Sequence, residues 1–148
     1  MDVYDCIAES NRIEGITRPP SRSEIEAHST FMGLEQLTIP EVQRLVSVYQ
    51  PNAELRIRPG LDVRVGAHVP PRGGEHIRTQ LQALLDDINT EKVSAWTGHV
   101  QYETLHPFTD CNGRSGRAIW YWQMRGTGFD HLGFLHAFYY QTLHQQRR

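Results

Sequence analysis

The sequence has few of the residues that crosslink a chain or anchor it in a membrane. Its 148 residues include only two cysteines, Cys6 and Cys111. So widely spaced a pair forms neither a CxxC motif nor a disulfide framework, and we expect two free thiols in a reducing compartment. No segment approaches the roughly 18 consecutive apolar residues of a membrane helix, and the start MDVYDCIAES lacks the features of a secretory signal. We therefore expect a cytoplasmic protein with no membrane partner.

Neither sign of charge dominates the sequence. The formal net charge is -2 at pH 7, which excludes the broad basic surface of a nonspecific nucleic-acid binder. Lys92 is the one lysine among 15 basic residues, and the arginines that make up the rest suit bidentate contacts with phosphate or carboxylate. The length is that of one ordinary domain, so we expect residues 1–148 to form a single unit.

Apolar residues spaced three and four apart predict a mostly helical fold. Thr38 and Pro40 are typical of a helix start, and Pro51 ends the apolar series that follows them. Gly15 ends a first, short helix. That first helix is predicted over 3–14. Further helices are predicted around 22–32, through Ile77 to Ile88, from about Lys92 to Leu105, from Gly113 or Arg114 onward, and through Phe134, Leu135, Phe138 and Leu143.

Residues 55–71 have a different pattern. Apolar and polar residues alternate on both sides of Pro59-Gly60, as in two short strands joined by a turn, and Pro70-Pro71 ends the second run. This pattern predicts one small β-hairpin beside the helices. An exposed strand edge can pair with an extended peptide segment, so the hairpin is a candidate docking site for a protein partner.

The segment from His106 to Arg117 combines groups that a purely structural turn does not need. Asn112-Gly113 favours a backbone turn with positive φ. The amide hydrogens there face the start of the next predicted helix, whose partial positive charge attracts anions. Arg114 and Arg117 are three residues apart, so both can reach the same side of that helix. These features together predict a binding site for a polyphosphate.

Asp110 and His106 would add chemistry to such a site. One carboxylate beside phosphates is the usual protein ligand of Mg²⁺, with phosphate oxygens and waters completing the octahedron. A histidine titrates at about pH 6.5, which suits a general base that takes a proton from a hydroxyl. Phe108 is expected to anchor the loop in the core. The segment matches neither a P-loop nor a GxGxxG dinucleotide motif.

Residues 106–117, HPFTDCNGRSGR, resemble the signature of the Fic-domain family, HxFx(D/E)(G/A)N(G/K)RxxR. They match it at all but one position, where Cys111 stands in place of glycine or alanine. Residues 63–71, VRVGAHVPP, are similar to the family's flap. The resemblance implies a compact, Fic-like helical domain with one small β-hairpin flap. It also implies an enzyme that transfers AMP from ATP to a protein hydroxyl and releases pyrophosphate.

The resemblance further implies a role for each residue of the signature. His106 would be the catalytic base, and Asp110 would hold Mg²⁺. Arg114 would bind the β-phosphate of ATP and Arg117 the γ-phosphate. A family branch that transfers phosphate has lysine at the position of Gly113, so glycine there favours AMP transfer. The other implied phosphate-binding residues are Asn112, Gly113, Ser115 and Gly116, and the implied target-docking residues of the flap are Val63, Arg64, Val65 and Gly66.

A second motif lies near the N-terminus. Residues Ser10 to Gly15, SNRIEG, resemble the inhibitory motif (S/T)xxxE(G/N) found beside many Fic domains, and we expect residues 1–16 to form an inhibitory helix. The Glu14 carboxylate would pair with the Arg117 guanidinium. That pair would occupy the arginine that the γ-phosphate needs, so the enzyme would be autoinhibited.

Several alternatives stay open at this point. The same loop could transfer UMP or phosphate, and in some family members the inhibitory glutamate supports removal of AMP from the target. The alternative from another class is a catalytically silent domain that binds nucleotide or a protein partner, and Cys111 is the feature in its favour. The target protein, self-modification and the oligomeric state are not specified by the sequence.

Overall fold

The computed structural model describes residues 2–126 and Leu143. It confirms a mostly helical protein, with six helices in residues 2–126, none long and apolar enough to cross a membrane. The helices are α1 Val3–Ile13, α2 Arg22–Met32, α3 Ile39–Tyr49, α4 Glu75–Asn89, α5 Ala95–Leu105 and α6 Asn112–Met124. The helix predicted through Phe134, Leu135 and Phe138 lies outside the described residues, apart from Leu143, which is helical and buried.

Side chains at the helix starts explain most of these boundaries. Asp2, Thr38 and Ser94 each accept an amide hydrogen from the third residue of the helix that follows, which satisfies a donor left over at the helix end. Ser21 and Glu24 form a reciprocal capping box at the start of α2. The Ser94 cap also explains why α5 begins at Ala95 rather than near Lys92, as the sequence suggested.

The hydrophobic core lies where α2 to α6 meet. Its fully buried members include Val42, Ile77, Leu81, Leu85, Tyr102 and Ile119. The most extensive interhelical packing joins α5 and α6. Gly116 on α6 permits this close approach, because a Cβ there would overlap the Glu103 carboxylate and stand 2.9 Å from the Tyr102 ring. The close packing of α5 against α6 therefore fixes both ends of the loop that joins them.

α1 is attached to the rest of the fold by polar as well as apolar contacts. Ile7 is fully buried, but two of the other buried residues of α1, Ser10 and Asn11, are polar. Asn11 Nδ2 donates to Glu24 Oε2 at 3.1 Å, and Arg18 approaches the other oxygen of that buried carboxylate at 2.6 Å. Burial raises the pKa of Glu24, but the hydrogen bonds from its neighbours outweigh this effect and keep that pKa below its usual value. Polar contacts thus supply much of the attachment of α1.

The predicted β-hairpin over residues 55–71 is wrong, since the described part of the chain contains no β-strand there. Two isolated bridges occur instead, Leu55 with Phe108 and Val65 with His68. Pro59 and the Pro70-Pro71 pair lack amide donors for a strand ladder. The Arg56 guanidinium is fully buried and donates to the backbone carbonyls of residues 61 and 71. The chain therefore folds around Arg56 as an irregular loop. Residues 61–71 are called the flap loop below.

Candidate active site

The loop between α5 and α6 is braced by its own side chains. Asn112 Oδ1 accepts the Phe108 amide hydrogen and Asn112 Nδ2 donates to the Phe108 carbonyl, each at 2.8 Å. Phe108 is buried in the core, as the sequence predicts. His106 and Cys111 adopt left-handed backbone conformations, with φ of 51° and 68°. The positive φ expected at Asn112-Gly113 therefore lies at the preceding residue, and Asn112 already begins α6.

A hollow of about 390 Å³ opens beside this loop. Its volume is typical of a site for a small molecule. Its wall brings together most of the residues predicted from the sequence: His106, Asp110, Asn112, Gly113 and Arg117 of the signature, Glu14 after α1, and Val63, Arg64 and Val65 of the flap loop. Leu143, Glu103, Thr109 and Cys111 complete the wall.

Glu14 and Arg117 form an ion pair in the hollow. Arg117 Nη2 donates to Glu14 Oε1 at 2.6 Å and to the Ser10 carbonyl at 3.1 Å, and Arg117 Nε donates to Ser10 Oγ at 2.8 Å. The guanidinium is fully buried. Glu14 is the residue that ends α1, and Gly15 follows it with φ of 75°. The contact predicted between the two motifs is therefore present in the structure.

Gly113 makes room for this ion pair. A Cβ at position 113 would overlap Glu14 Oε1 and stand 3.0 Å from Arg117 Nη1. The Glu14 carboxylate thus lies directly over the first turn of α6, where the unpaired amide hydrogens and the helix dipole favour negative charge. The same position favours any other anion, so Glu14 and an anionic ligand would compete for it.

His106 stands at the end of α5 and is 16% exposed. Its Nδ1 lies 3.4 Å from the Glu103 carbonyl oxygen and 4.0 Å from Glu103 Oε2, and Glu103 itself is buried. We assign the proton to Nδ1, because both neighbouring groups are acceptors. That tautomer places the lone pair on Nε2, where an imidazole can accept a proton from a substrate.

Asp110 is exposed at the mouth of the hollow, and its Oδ1 accepts the Cys111 amide hydrogen at 2.6 Å. Within the described residues, no group of three or more acidic, histidine or cysteine side chains is close enough to hold a metal by itself. One carboxylate beside a phosphate site nevertheless fits Mg²⁺, which retains waters and takes its other ligands from phosphate oxygens. The donor set at Asp110 therefore suits a cation that enters together with a phosphorylated ligand.

Arg114, Ser115 and Gly116 do not line the hollow. The Arg114 guanidinium is nearly buried and lies 5.0 Å from the centre of the Tyr49 ring, a cation–π contact. The Ser115 hydroxyl is fully buried between the Tyr102 hydroxyl and the Cys111 carbonyl. These residues hold α6 against its neighbours in this conformation, so the phosphate contacts predicted for them stay predictions.

Two residues that a sequence pattern could not single out support the site. Arg56 and Tyr49 lie more than 45 residues before the signature in the sequence, and the fold brings each of them into contact with it.

Gly66, a predicted docking residue, does not line the hollow. It is a turn residue with φ of 58° between Val65 and His68.

Cys111, the departure from the signature, is buried. Burial raises the pKa of its thiol to about 11, although the positive charge of Arg114 acts in the opposite direction. The thiol therefore stays protonated at neutral pH, which argues against a nucleophilic role. Cys111 therefore contributes a neutral side chain to the wall of the hollow.

The fold and the site together define a class of protein: a helical domain with an arginine-lined hollow beside the loop that joins two packed helices. The model of the Fic/DOC family matches residues 27–124, more than half of the chain. The protein therefore belongs to the Fic/DOC family. The matched region includes the whole signature loop and leaves out α1. No curated protein matches the chain.

Proposed function

We propose that the protein is an adenylyltransferase that moves AMP from ATP to a serine, threonine or tyrosine hydroxyl of a target protein. We further propose that Glu14 autoinhibits it. The observation that carries the proposal is the shared hollow, whose wall contains His106, Asp110 and Arg117 together. Membership of the Fic/DOC family supports a transferase reaction.

In the proposed reaction the acceptor hydroxyl attacks the α-phosphorus of ATP. A bond forms between the hydroxyl oxygen and that phosphorus, the bond from phosphorus to the oxygen bridging to the β-phosphate breaks, and pyrophosphate leaves. His106 Nε2 takes the hydroxyl proton, in keeping with the tautomer assigned from its neighbours. The first turn of α6 presents amide hydrogens and the positive helix end to the phosphate oxygens, and so stabilises negative charge there.

Charge around the phosphates is divided among three groups in this proposal. Asp110 would hold Mg²⁺, which when bound offsets the negative charge of the phosphates. Arg117 would bind the γ-phosphate. Arg114 would bind the β-phosphate, and since its guanidinium now lies over the Tyr49 ring, this role requires a change in side-chain conformation.

The position of Glu14 supports the proposed autoinhibition. Its carboxylate is paired with Arg117 and fills the space over Gly113. A γ-phosphate in the same place would meet a negative charge at close range and would lack its arginine. Removal of the Glu14 side chain should therefore leave the hollow open to ATP in a productive position.

The test uses the Glu14→Gly variant with labelled ATP, Mg²⁺ and a cell lysate. We expect label on a target protein and on the variant itself, and much less with the parent protein. Equal labelling by parent and variant with ATP in excess would contradict autoinhibition. The matched control carries His106→Ala in addition, and undiminished label there would contradict the role of His106 as the base.

Mass spectrometry of the labelled protein distinguishes the remaining alternatives. An added AMP supports the proposal, whereas an added UMP or phosphate, after incubation with UTP or ATP, would identify a different transferred group. Nucleotide binding by Glu14→Gly without any added mass would identify a catalytically silent domain.

A further inference from the structure

We propose that Arg56 is a positioning residue that fixes the catalytic His106 and the flap loop relative to each other. The inference rests on the proposed function, because Arg56 would act through the base of that reaction. Arg56 does not line the hollow and belongs to neither sequence motif. Its part is inferred from the backbone groups that its guanidinium binds.

The Arg56 side chain is fully buried, and its guanidinium donates to four backbone carbonyls. Two acceptors lie at the end of α5: Nε donates to the His106 carbonyl at 2.6 Å and Nη2 to the Leu105 carbonyl at 2.8 Å. The other two lie at the ends of the flap loop. Nη1 donates to the Leu61 carbonyl at 3.1 Å and to the Pro71 carbonyl at 2.8 Å. One side chain thus joins both elements.

The end of α5 is a suitable place for this cation. The last carbonyls of a helix have no partner within the helix, and that end carries a partial negative charge. A planar guanidinium can satisfy several such carbonyls at fixed angles, and it stays protonated when buried. Arg56 therefore caps α5 with a charge-assisted contact that a neutral or shorter side chain could not reproduce.

The backbone of His106 depends on such support. Its left-handed conformation, with φ of 51° and ψ of 63°, is unfavourable for a residue with a Cβ and persists only where the surroundings fix it. Arg56 Nε holds the His106 carbonyl, and the Arg56 amide donates to the Pro107 carbonyl at 2.9 Å. These two contacts fix the peptide groups that follow His106, and hence the direction of its imidazole.

The flap loop is fixed by the same guanidinium. Val63 and Val65 line the same hollow as the signature loop, and in the sequence they lie between the two residues whose carbonyls Arg56 Nη1 binds. A peptide docked on the flap loop would present its hydroxyl to His106 at a distance that Arg56 sets. His68, whose Nε2 lies 2.9 Å from the Thr104 carbonyl, ties the loop to α5 at one further point.

The variant Arg56→Lys tests this inference in the Glu14→Gly background. Lysine keeps the charge but cannot form the fork of donors. We expect kcat for AMP transfer to fall about 10- to 100-fold, as misplacement of a base does, while the Kd for ATP measured by calorimetry stays unchanged. Arg58→Lys is the matched control, since the Arg58 side chain is largely exposed and forms an ion pair with Glu54 at the surface. A folded Arg56→Lys protein with kcat within twofold of Arg58→Lys overturns the inference.

A second measurement does not depend on the reaction. The ring resonances of His106, assigned by their loss in His106→Ala, should shift in Arg56→Lys and stay in place in Arg58→Lys. Gly73→Ala provides the same readout with Arg56 intact, because its Cβ would stand 2.6 Å from the Leu61 carbonyl oxygen and displace that acceptor. Unshifted His106 resonances in Gly73→Ala and in folded Arg56→Lys overturn the inference. Absence of AMP transfer by Glu14→Gly alone would instead defeat the proposed function.

Discussion

The Glu14 carboxylate and the Arg117 guanidinium lie 2.6 Å apart, although 103 residues separate them in the sequence. The arginine side chain is fully buried, whereas the glutamate side chain is 32% exposed. Arg117 is held by the packing of α6, and Glu14 stands at the end of a helix for which polar contacts supply much of the attachment. The pair is therefore broken more easily from the side of α1 than from the side of the core.

Ser10→Ala should weaken the docking of α1. The buried Ser10 hydroxyl accepts a hydrogen bond from Arg117 Nε at 2.8 Å, and a buried charged donor left without its acceptor costs about 1–3 kcal/mol. That cost applies only while α1 covers the arginine, so ATP should displace Glu14 more easily. We expect the affinity for ATP, measured by calorimetry, to rise at least about fivefold.

Ser29→Ala is the control for this experiment, because Ser29 is an exposed residue on α2. An affinity for ATP that is the same in Ser10→Ala and in the parent protein would contradict the contribution of this hydrogen bond to autoinhibition.

Gly113→Ala should displace Glu14 without altering it. A Cβ at position 113 would overlap Glu14 Oε1, so the carboxylate has to leave its place over α6. The amides of α1 should then exchange with deuterium faster than in the parent protein, as mass spectrometry of the peptide covering residues 3–13 can measure. Gly33→Ala is the matched control, since its φ is -86° and its nearest neighbour would lie at 3.5 Å. Unchanged exchange in Gly113→Ala would show that Glu14 does not need this space.

His28 should make the protein less stable in mild acid. The side chain is buried, and burial lowers its pKa from 6.5 to about 4. The unfolded chain takes up this proton first as the pH falls, so the stability contributed by neutral His28 is complete above pH 6.5 and is lost between there and about pH 4. A shift of this size corresponds to about 3 kcal/mol at most.

Urea unfolding between pH 7 and pH 4.5 measures this effect. As the pH is lowered, the free energy of unfolding should decrease less steeply in His28→Gln than in the parent protein. His76→Gln, at an exposed position, should leave the slope unchanged. Equal slopes in all three proteins would contradict a lowered pKa for His28.

Local patterns were sufficient for the elements that local interactions determine. The capping residue Thr38 lies beside its helix in the sequence, and the spacing of apolar residues identified α3 and α4. The signature segment was identified as one site because its residues are contiguous. Glu14 could be placed beside Arg117 only through the resemblance to a second motif, since no local rule connects residues so far apart.

The errors arose where distant residues decide the local conformation. The alternation around Arg56 is typical of a strand with an exposed arginine, but this side chain is buried against carbonyls from α5 and the flap loop, and no strand forms. The turn at Asn112-Gly113 was displaced to Cys111 because the Asn112 side chain bonds back to Phe108. Arg114 packs on Tyr49, whose proximity depends on how α3 meets α6.

The most direct test of the proposed reaction compares two ATP molecules, one labelled at the α-phosphorus and the other at the γ-phosphorus, each incubated with the Glu14→Gly variant and Mg²⁺. We expect that protein retains the α label, that the γ label leaves with pyrophosphate, and that His106→Ala abolishes retention. Protein that retains the γ label, or that retains the α label equally well without His106, would contradict the proposed reaction.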